Sequence, residues 1–529
     1  MEGRERWATK LGLILAMAGN AVGLGNFWRF PYQLAKNGGG AFMIPYFIAL
    51  LLLGIPIMWV EWVTGRFGGK YGHGVLGPTF YLMSRESVKP RTALIFGIIG
   101  GMLAFSVTTL LNSYYLHVVG WSVAYTYYSA TGAYYGQNTV AFFINHVNNL
   151  TAVLASWGLA VVLLAIATSR GVAKGIEAWN KVMMPLLYVF AVVLVARSLT
   201  LGSPVKPEWS SLAGLEYIWK PDFNTLSQNF FRISLAAAGQ IFFTLSLGMG
   251  IIQNYASYVG KDDDIALSGL ATVSLNEFAE VVLGGSLAIP IAFAYLGPEQ
   301  AIKGGVGLAY MSLPNVFTAM GEAGRLFGSM WFLLLFFAGF TSAIAMYNYL
   351  VALLEEDLHI KRTLAAVIVF ILYLLLGLPV ALDGTLVYLS ELDNWVGSYF
   401  LVLLGLFDII VAVWLFKPKN LWDELHRGAY INVPTFFKYI LLIATPIYIA
   451  LLLAGTTYDY YNMGAFTASK TYVEEVLGGS YPDSVPIVTW ARVAMIAILI
   501  IGALETYYSI RRKYGEELKQ NRKIVVAGD

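Results

Sequence analysis

The stretch Gly19-Asn20-Ala21-Val22-Gly23-Leu24-Gly25-Asn26-Phe27-Trp28-Arg29-Phe30-Pro31 lies inside a largely apolar segment, 11–36, that is long enough to cross a bilayer. A membrane span normally keeps its backbone hydrogen-bonded, because hydrocarbon offers no replacement for a lost partner. Gly23, Gly25, two asparagines and an arginine in one such span are costly, so the helix is expected to break at bilayer depth. A break exposes carbonyl oxygens and amide hydrogens. These are the partners that a cation and a carboxylate need.

The rest of the chain has the composition such a span implies. Of its 529 residues 58% are hydrophobic and only 12% charged, about half the charged share of a soluble domain. Apolar windows fall at 11–36, 41–66, 92–128, 152–169, 176–199, 228–257, 264–296, 325–354, 363–381, 386–416, 434–456 and 487–510, which predicts twelve spans. An even number puts both termini on one side, and with the N-terminus inside, 24 of the 34 lysines and arginines fall on that side. The bias predicts cytoplasmic termini in a multi-pass cell-membrane protein. The segment behind Met1–Lys10 lacks a small-residue cleavage site and is expected to be the first span, not a cleaved leader. The outer connections, 129–150, 200–226, 297–324 and 457–486, are too short for a separate domain but long enough for small lids.

A second anomaly occupies span 6, Gly239-Gln-Ile-Phe-Phe-Thr-Leu-Ser-Leu-Gly-Met-Gly250. Glycines alone can serve close helix packing, but two interruptions at matching places in two groups of five spans point to a midplane binding site. Five is odd, so the second group is expected to be inverted. The expected organisation is 1–200 (spans 1–5), 201–416 (spans 6–10) and 417–529 (spans 11 and 12 with a tail), an all-α architecture of twelve helices built on a 5+5 inverted repeat with helices 1 and 6 broken.

The motifs resemble those of a known family. Asn20-Ala-Val-Gly-Leu-Gly-Asn-Phe-Trp-Arg-Phe-Pro-Tyr32 and Asn37-Gly-Gly-Gly-Ala-Phe42 are similar to the first-helix signature of neurotransmitter:sodium symporters. Gln240–Gly248, Leu275-Asn276-Glu277 and Ala338-Gly-Phe-Thr-Ser342 resemble its sixth, seventh and eighth helices. The resemblance runs from about residue 4 to 416, more loosely through the last two spans, and is closest to the prokaryotic amino-acid branch. It implies a sodium-coupled symporter that imports neutral hydrophobic L-amino acids by alternating access, with two sodium ions per substrate and without chloride. A transporter-like sensor or a sodium-linked channel is the alternative.

The resemblance also implies residue roles. One sodium would be held by Ala21, Asn26, Thr244 and Asn276 and completed by the substrate carboxylate, and a second by Gly19, Val22, Ala338, Thr341 and Ser342. All are oxygen donors, as a hard cation requires. The substrate site would comprise Ala21, Leu24, Gly25, Leu111, Tyr115, Phe243, Thr244, Ser246, Met249, Ser342 and Met346. Amine carriers of the family have an aspartate where this chain has Gly23, so its substrate should bring its own carboxylate. Met249 and Met346 are flexible and polarizable, which favours varied apolar side chains. They depart from the Phe and Ile of the leucine carrier.

Gates are implied by Arg29 and Asp393 on the outer side, above a Tyr115–Phe243 lid, and by Arg4, Ser257, Tyr258 and Glu356 on the inner side. Gly175 and Pro185 match a helix-5 motif that lets the helix loosen; an ordinary helix start and kink is the plainer reading. Glu61 is expected to cap amides of the broken sixth helix. Glu280 stands where chloride-dependent relatives carry serine, and is expected to be a chloride-substituting carboxylate.

Other classes fit less well. There is no phosphate loop of the Gly-x-x-x-x-Gly-Lys-Ser/Thr kind, no cysteine, and the five histidines are scattered, so no enzymatic centre is expected. The expected partners are a small amino acid, sodium ions and the lipid bilayer, with no nucleic acid. Oligomeric state stays open.

Overall fold

The computed structural model describes residues 5–303 and 309–524, which form helices and turns with no strand among them. Ten helices are long and apolar enough to cross a membrane: Gly40–Lys70 (span 2), Pro90–Thr131 (span 3), Leu150–Ser169 (span 4), Val172–Leu199 (span 5), Ile265–Leu296 (span 7), Glu322–Leu358 (span 8), Arg362–Leu382 (span 9), Val387–Leu415 (span 10), Phe436–Met463 (span 11) and Val485–Gln520 (span 12). An eleventh is the bent pair Lys10–Ala21 and Gly25–Lys36 (span 1), turned by 44° at its break.

The twelfth expected span is present as two pieces, Phe223–Thr244 and Ile251–Ala256 (span 6). It falls short of the others in apolarity for a visible reason. Asn224, Ser227, Gln228, Asn229 and Arg232 make its first half polar, and that half is largely exposed. Apart from Leu226, its buried residues begin at Ile233.

Burial sorts the spans into an inner and an outer set. In span 7, 83% of the apolar window is buried, and in span 8, 78%, against 28% in span 12. Spans 3, 7 and 8 are the most buried, the broken middles of spans 1 and 6 are buried with them, and the outer helices turn apolar side chains such as Leu375, Ile496 and Ile500 outward.

Glu5 and Glu517, near the two ends of the described chain, lie on one face. Val172 N–H donates to Glu5 at 2.8 Å, and Arg85 meets Glu517 at 2.5 Å with both side chains buried. We call this the terminal face. The outer connections on the other face carry short helices, among them Thr139–Asn148, Ser211–Trp219 and Leu313–Ala319.

At the terminal face Glu424 is buried against Arg66 (2.9 Å) and Lys70 (2.6 Å). Removing one member of a buried pair costs about 3–5 kcal/mol, because the partner charge is left uncompensated. Glu424→Ala should therefore lower the melting temperature in detergent clearly, whereas Glu216→Ala, which breaks the exposed pair with Lys220, should leave it unchanged. Equal melting of the two variants would contradict this reading.

Candidate functional site

The site is built from the two breaks. Span 1 stops being helical at Val22, and the next amides turn to side chains: Gly23 N–H donates to Asn26 Oδ1 at 2.8 Å and Leu24 N–H to the Tyr115 hydroxyl at 3.2 Å. The chain resumes in wide turns over Gly25–Arg29. At the end of the first piece, the Asn20 carbonyl accepts the Ser246 hydroxyl (2.9 Å) and the Ser342 hydroxyl (3.0 Å), and Ser342 also reaches the Gly19 carbonyl at 3.3 Å. Spans 6 and 8 are thus tied to the same stretch of exposed backbone.

Span 6 breaks over 245–250, where Ser246, Gly248 and Gly250 all have positive φ. Glycine is required at 248 for a second reason: a Cβ there would lie 2.0 Å from the Leu401 carbonyl oxygen. The freed Gly248 N–H donates to the fully buried Glu61 at 2.7 Å. An unpaired amide at this depth would be costly, and the carboxylate of span 2 supplies the partner.

Between the breaks lies a narrow cavity of about 20 Å³. Backbone at Ala21, Gly23 and Gly25 forms one wall, and Tyr115, Ser246 and Ser342 supply hydroxyls. Leu111, Phe243, Met249, Ile251 and Met346 close the apolar end. No charged side chain lines it. Nine of the eleven expected substrate-site residues are here. Leu24 and Thr244 are not: Leu24 packs towards Gly339, and Thr244 turns its hydroxyl to Glu280.

The side chains expected around the first sodium form one network. Asn26 Nδ2 donates to Asn276 Oδ1 at 2.8 Å, and Asn276 Nδ2 to the Thr244 hydroxyl at 3.2 Å. Glu280 is fully buried and accepts from Thr244, from Gln240 Nε2 (3.0 Å) and from the Tyr46 hydroxyl (2.9 Å). Tyr46 also lies 2.8 Å from Glu277, with a single proton to share between them. For the second group, Thr341 and Ser342 face Gly19 across the span 1–span 8 contact, and both hydroxyls also bond back to Ala338 O within span 8.

The gate residues are less simply arranged than expected. Arg29 does not ion-pair with Asp393: it donates to Gln240 Oε1 at 2.9 Å and sits 4.6 Å over the Phe243 ring. Asp393 instead accepts the Tyr114 hydroxyl at 2.7 Å. Gln240 and Tyr114 are the hydrogen-bond partners of the two charges. At the terminal face Ser257 Oγ donates to Asn254 O at 2.6 Å, and Glu356 accepts the Gly74 amide at 2.7 Å. Arg4 lies outside the described residues. Ser257 and Tyr258 line a wide charged bowl of about 1270 Å³.

Some participants escaped the sequence reading. Ile251 lines the cavity but is indistinguishable in sequence from core isoleucine. Trp7 donates to the Tyr255 carbonyl at 3.0 Å and packs edge-on against Tyr255 and Tyr258. Glu177, fully buried in span 5, accepts Ala8 N–H (2.7 Å) and the Thr9 hydroxyl (2.8 Å) and so fastens the start of span 1. A signal for it existed, since an acidic residue within a span is a functional candidate by default.

Comparison with known proteins decides the class. The model of the sodium:neurotransmitter symporter family matches residues 4–135 and 133–512. The chain belongs to that family. An uncharacterised sodium-dependent transporter of Methanocaldococcus jannaschii is 31% identical over 489 residues, covering 89% of this chain and 94% of the relative. A sodium-dependent nutrient amino acid transporter of Drosophila grimshawi is 25% identical, covering 84% of this chain and 75% of the relative. The crystal structure of MhsT in complex with L-phenylalanine matches with a TM-score of 0.74 and 30% identity, over 86% of this chain and 100% of that one. This symporter is a membrane transporter, not an enzyme, and its family couples solute movement to sodium.

Proposed function

We propose that this symporter takes up neutral, apolar amino acids together with two sodium ions and without chloride. The observation that carries the reading is the cavity itself. It joins backbone freed by both breaks to an apolar end, with no charged side chain on its wall. A zwitterion brings its own two charges, and the cavity offers each a dipolar partner: amides around Leu24 and Gly25 for the carboxylate, carbonyls at the breaks for the ammonium. Leu111, Met249, Ile251 and Met346 then take the side chain. The phenylalanine bound in the MhsT structure agrees with a pocket of this character.

On this reading Ala21, Asn26, Thr244 and Asn276 hold one ion, with the substrate carboxylate as shared ligand, so each solute raises the affinity for the other. Gly19, Val22, Ala338, Thr341 and Ser342 hold the second. Glu280, with its three donors, supplies the negative charge that chloride supplies elsewhere. Residues 1–200 and 201–416 form the two inverted repeats, a bundle rocks against a scaffold about the cavity, and 417–529 stands outside the repeat. Arg29, Phe243 and Asp393 close the outer side, and Trp7, Ser257, Tyr258 and Glu356 the terminal side, which faces the cytoplasm.

Two sodium ions entering with a zwitterion move two charges, worth together about 4.6 kcal/mol per 100 mV. Proteoliposomes with outward sodium and an inside-negative potential should therefore accumulate labelled phenylalanine or leucine above the outside concentration, and collapse of the potential should reduce accumulation. Solute that equilibrates without concentrating would indicate a channel, and sodium-dependent binding without any uptake a sensor.

A further inference from the structure

Asn180 is fully buried in span 5, midway between Gly175 and Pro185. Its Nδ2 donates to the Ile176 carbonyl at 2.9 Å. That bond fixes which end of the amide is which and leaves Oδ1 at the other end, where it receives no hydrogen bond. A buried oxygen without a donor calls for an explanation.

The direction of Oδ1 supplies one. It lies against Gly19: a Cβ built there would stand 2.2 Å from Asn180 Oδ1 and 3.1 Å from Thr341 Cβ. Gly19 and Thr341 are members of the second sodium group, so a hard amide oxygen from span 5 borders that group from a third side. The other span-5 atom at the spot, Met184 Sδ at 3.1 Å, is a soft donor unsuited to sodium. The wide turns of Val172–Glu177 end three residues before Asn180, and such turns often mark functional sites in a helix. A Cα–H contact from Gly19 is the plain alternative, but it is weaker than the full hydrogen bond that a buried amide oxygen gives up.

We infer that Asn180 is a further ligand of the second sodium ion, adding its amide oxygen from span 5 to the cage that spans 1 and 8 form. The inference rests on the second-site reading above. Its ligand is a bare monovalent cation, and its role is to add an oxygen that holds the bound ion.

The test uses the purified full chain. Sodium titrations of labelled amino-acid binding and release rates of preloaded ²²Na⁺ are measured for Asn180→Leu, which fills similar space without an oxygen, for Asn180→Asp, and for Thr341→Ala. Asn180→Leu should raise the half-saturating sodium several-fold with full binding capacity at saturating sodium. Asn180→Asp should shift it the opposite way and slow ²²Na⁺ release. A packing role moves both Asn180 variants in the same direction, and that result, or a wild-type titration for Asn180→Leu, overturns the inference. Thr341→Ala separates the two layers. If it weakens sodium dependence while Asn180→Leu does not, only the Asn180 inference falls; if Thr341→Ala has no effect, the second-site reading falls and this inference with it.

Discussion

Gly23→Asp should abolish saturable amino-acid binding and should not create an amine carrier. A Cβ at this position would stand 2.7 Å from Ser342 Oγ and 3.1 Å from the Tyr115 hydroxyl. Both atoms are committed: Ser342 to the carbonyls of Gly19 and Asn20, and Tyr115 to the Leu24 amide. Displacing either undoes the ties that hold the break of span 1. The added carboxylate would meet no cationic side chain on the cavity wall, and a buried charge left unpaired costs several kcal/mol. It would also repel the substrate's own carboxylate. A loss of affinity of about 100-fold or more, about 2.7 kcal/mol, is expected in equilibrium binding. Gly23→Ala should weaken binding less, because a methyl adds the crowding without the charge. Near-parental binding by the aspartate variant would contradict this reading of the cavity.

The second large effect is expected at Glu280. Three donors, from Thr244, Gln240 and Tyr46, converge on its buried carboxylate. Glu280→Ser removes the anion and leaves those donors around a small space. Sodium bound beside Thr244 then lacks a compensating charge, and chloride is the available replacement. Uptake by the serine variant should fall by about tenfold or more without chloride, the scale of one lost charge-assisted bond of ~1.4 kcal/mol or above, and recover as chloride is added. Parental uptake is expected to ignore chloride. An unchanged chloride-free rate in the variant would remove Glu280 from this role.

The sequence announced its breaks because broken backbone in lipid demands unusual residues. Gly23, Gly25 and Asn26 in span 1, and Ser246, Gly248 and Gly250 in span 6, have no ordinary place in an apolar helix. Most of the cavity wall was legible through them, since the wall is largely the broken backbone and the side chains next to it. Ile251 was not, because an apolar residue after a break carries no mark of which way it faces. The outer gate differed for a related reason. The family resemblance implied that Arg29 and Asp393 would meet, but Gln240 stands within hydrogen-bond reach of Arg29 and Tyr114 within reach of Asp393. Trp7 and Glu177 act across 248 and 169 residues of chain, respectively, a pairing that no local pattern encodes. The polar first half of span 6 was also misleading: its burial begins late, so the helix is less apolar than its neighbours.

The central claim is that sodium and substrate share one site between two broken helices, through the substrate's carboxylate. Its most direct test is reciprocal calorimetric titration of the purified protein with an apolar amino acid and with sodium. The account predicts that sodium tightens amino-acid binding and that the amino acid tightens sodium binding by the same factor, as linkage requires, while a decarboxylated analogue of the amino acid loses the effect. Equal amino-acid affinity in sodium and in potassium-only buffer would contradict it.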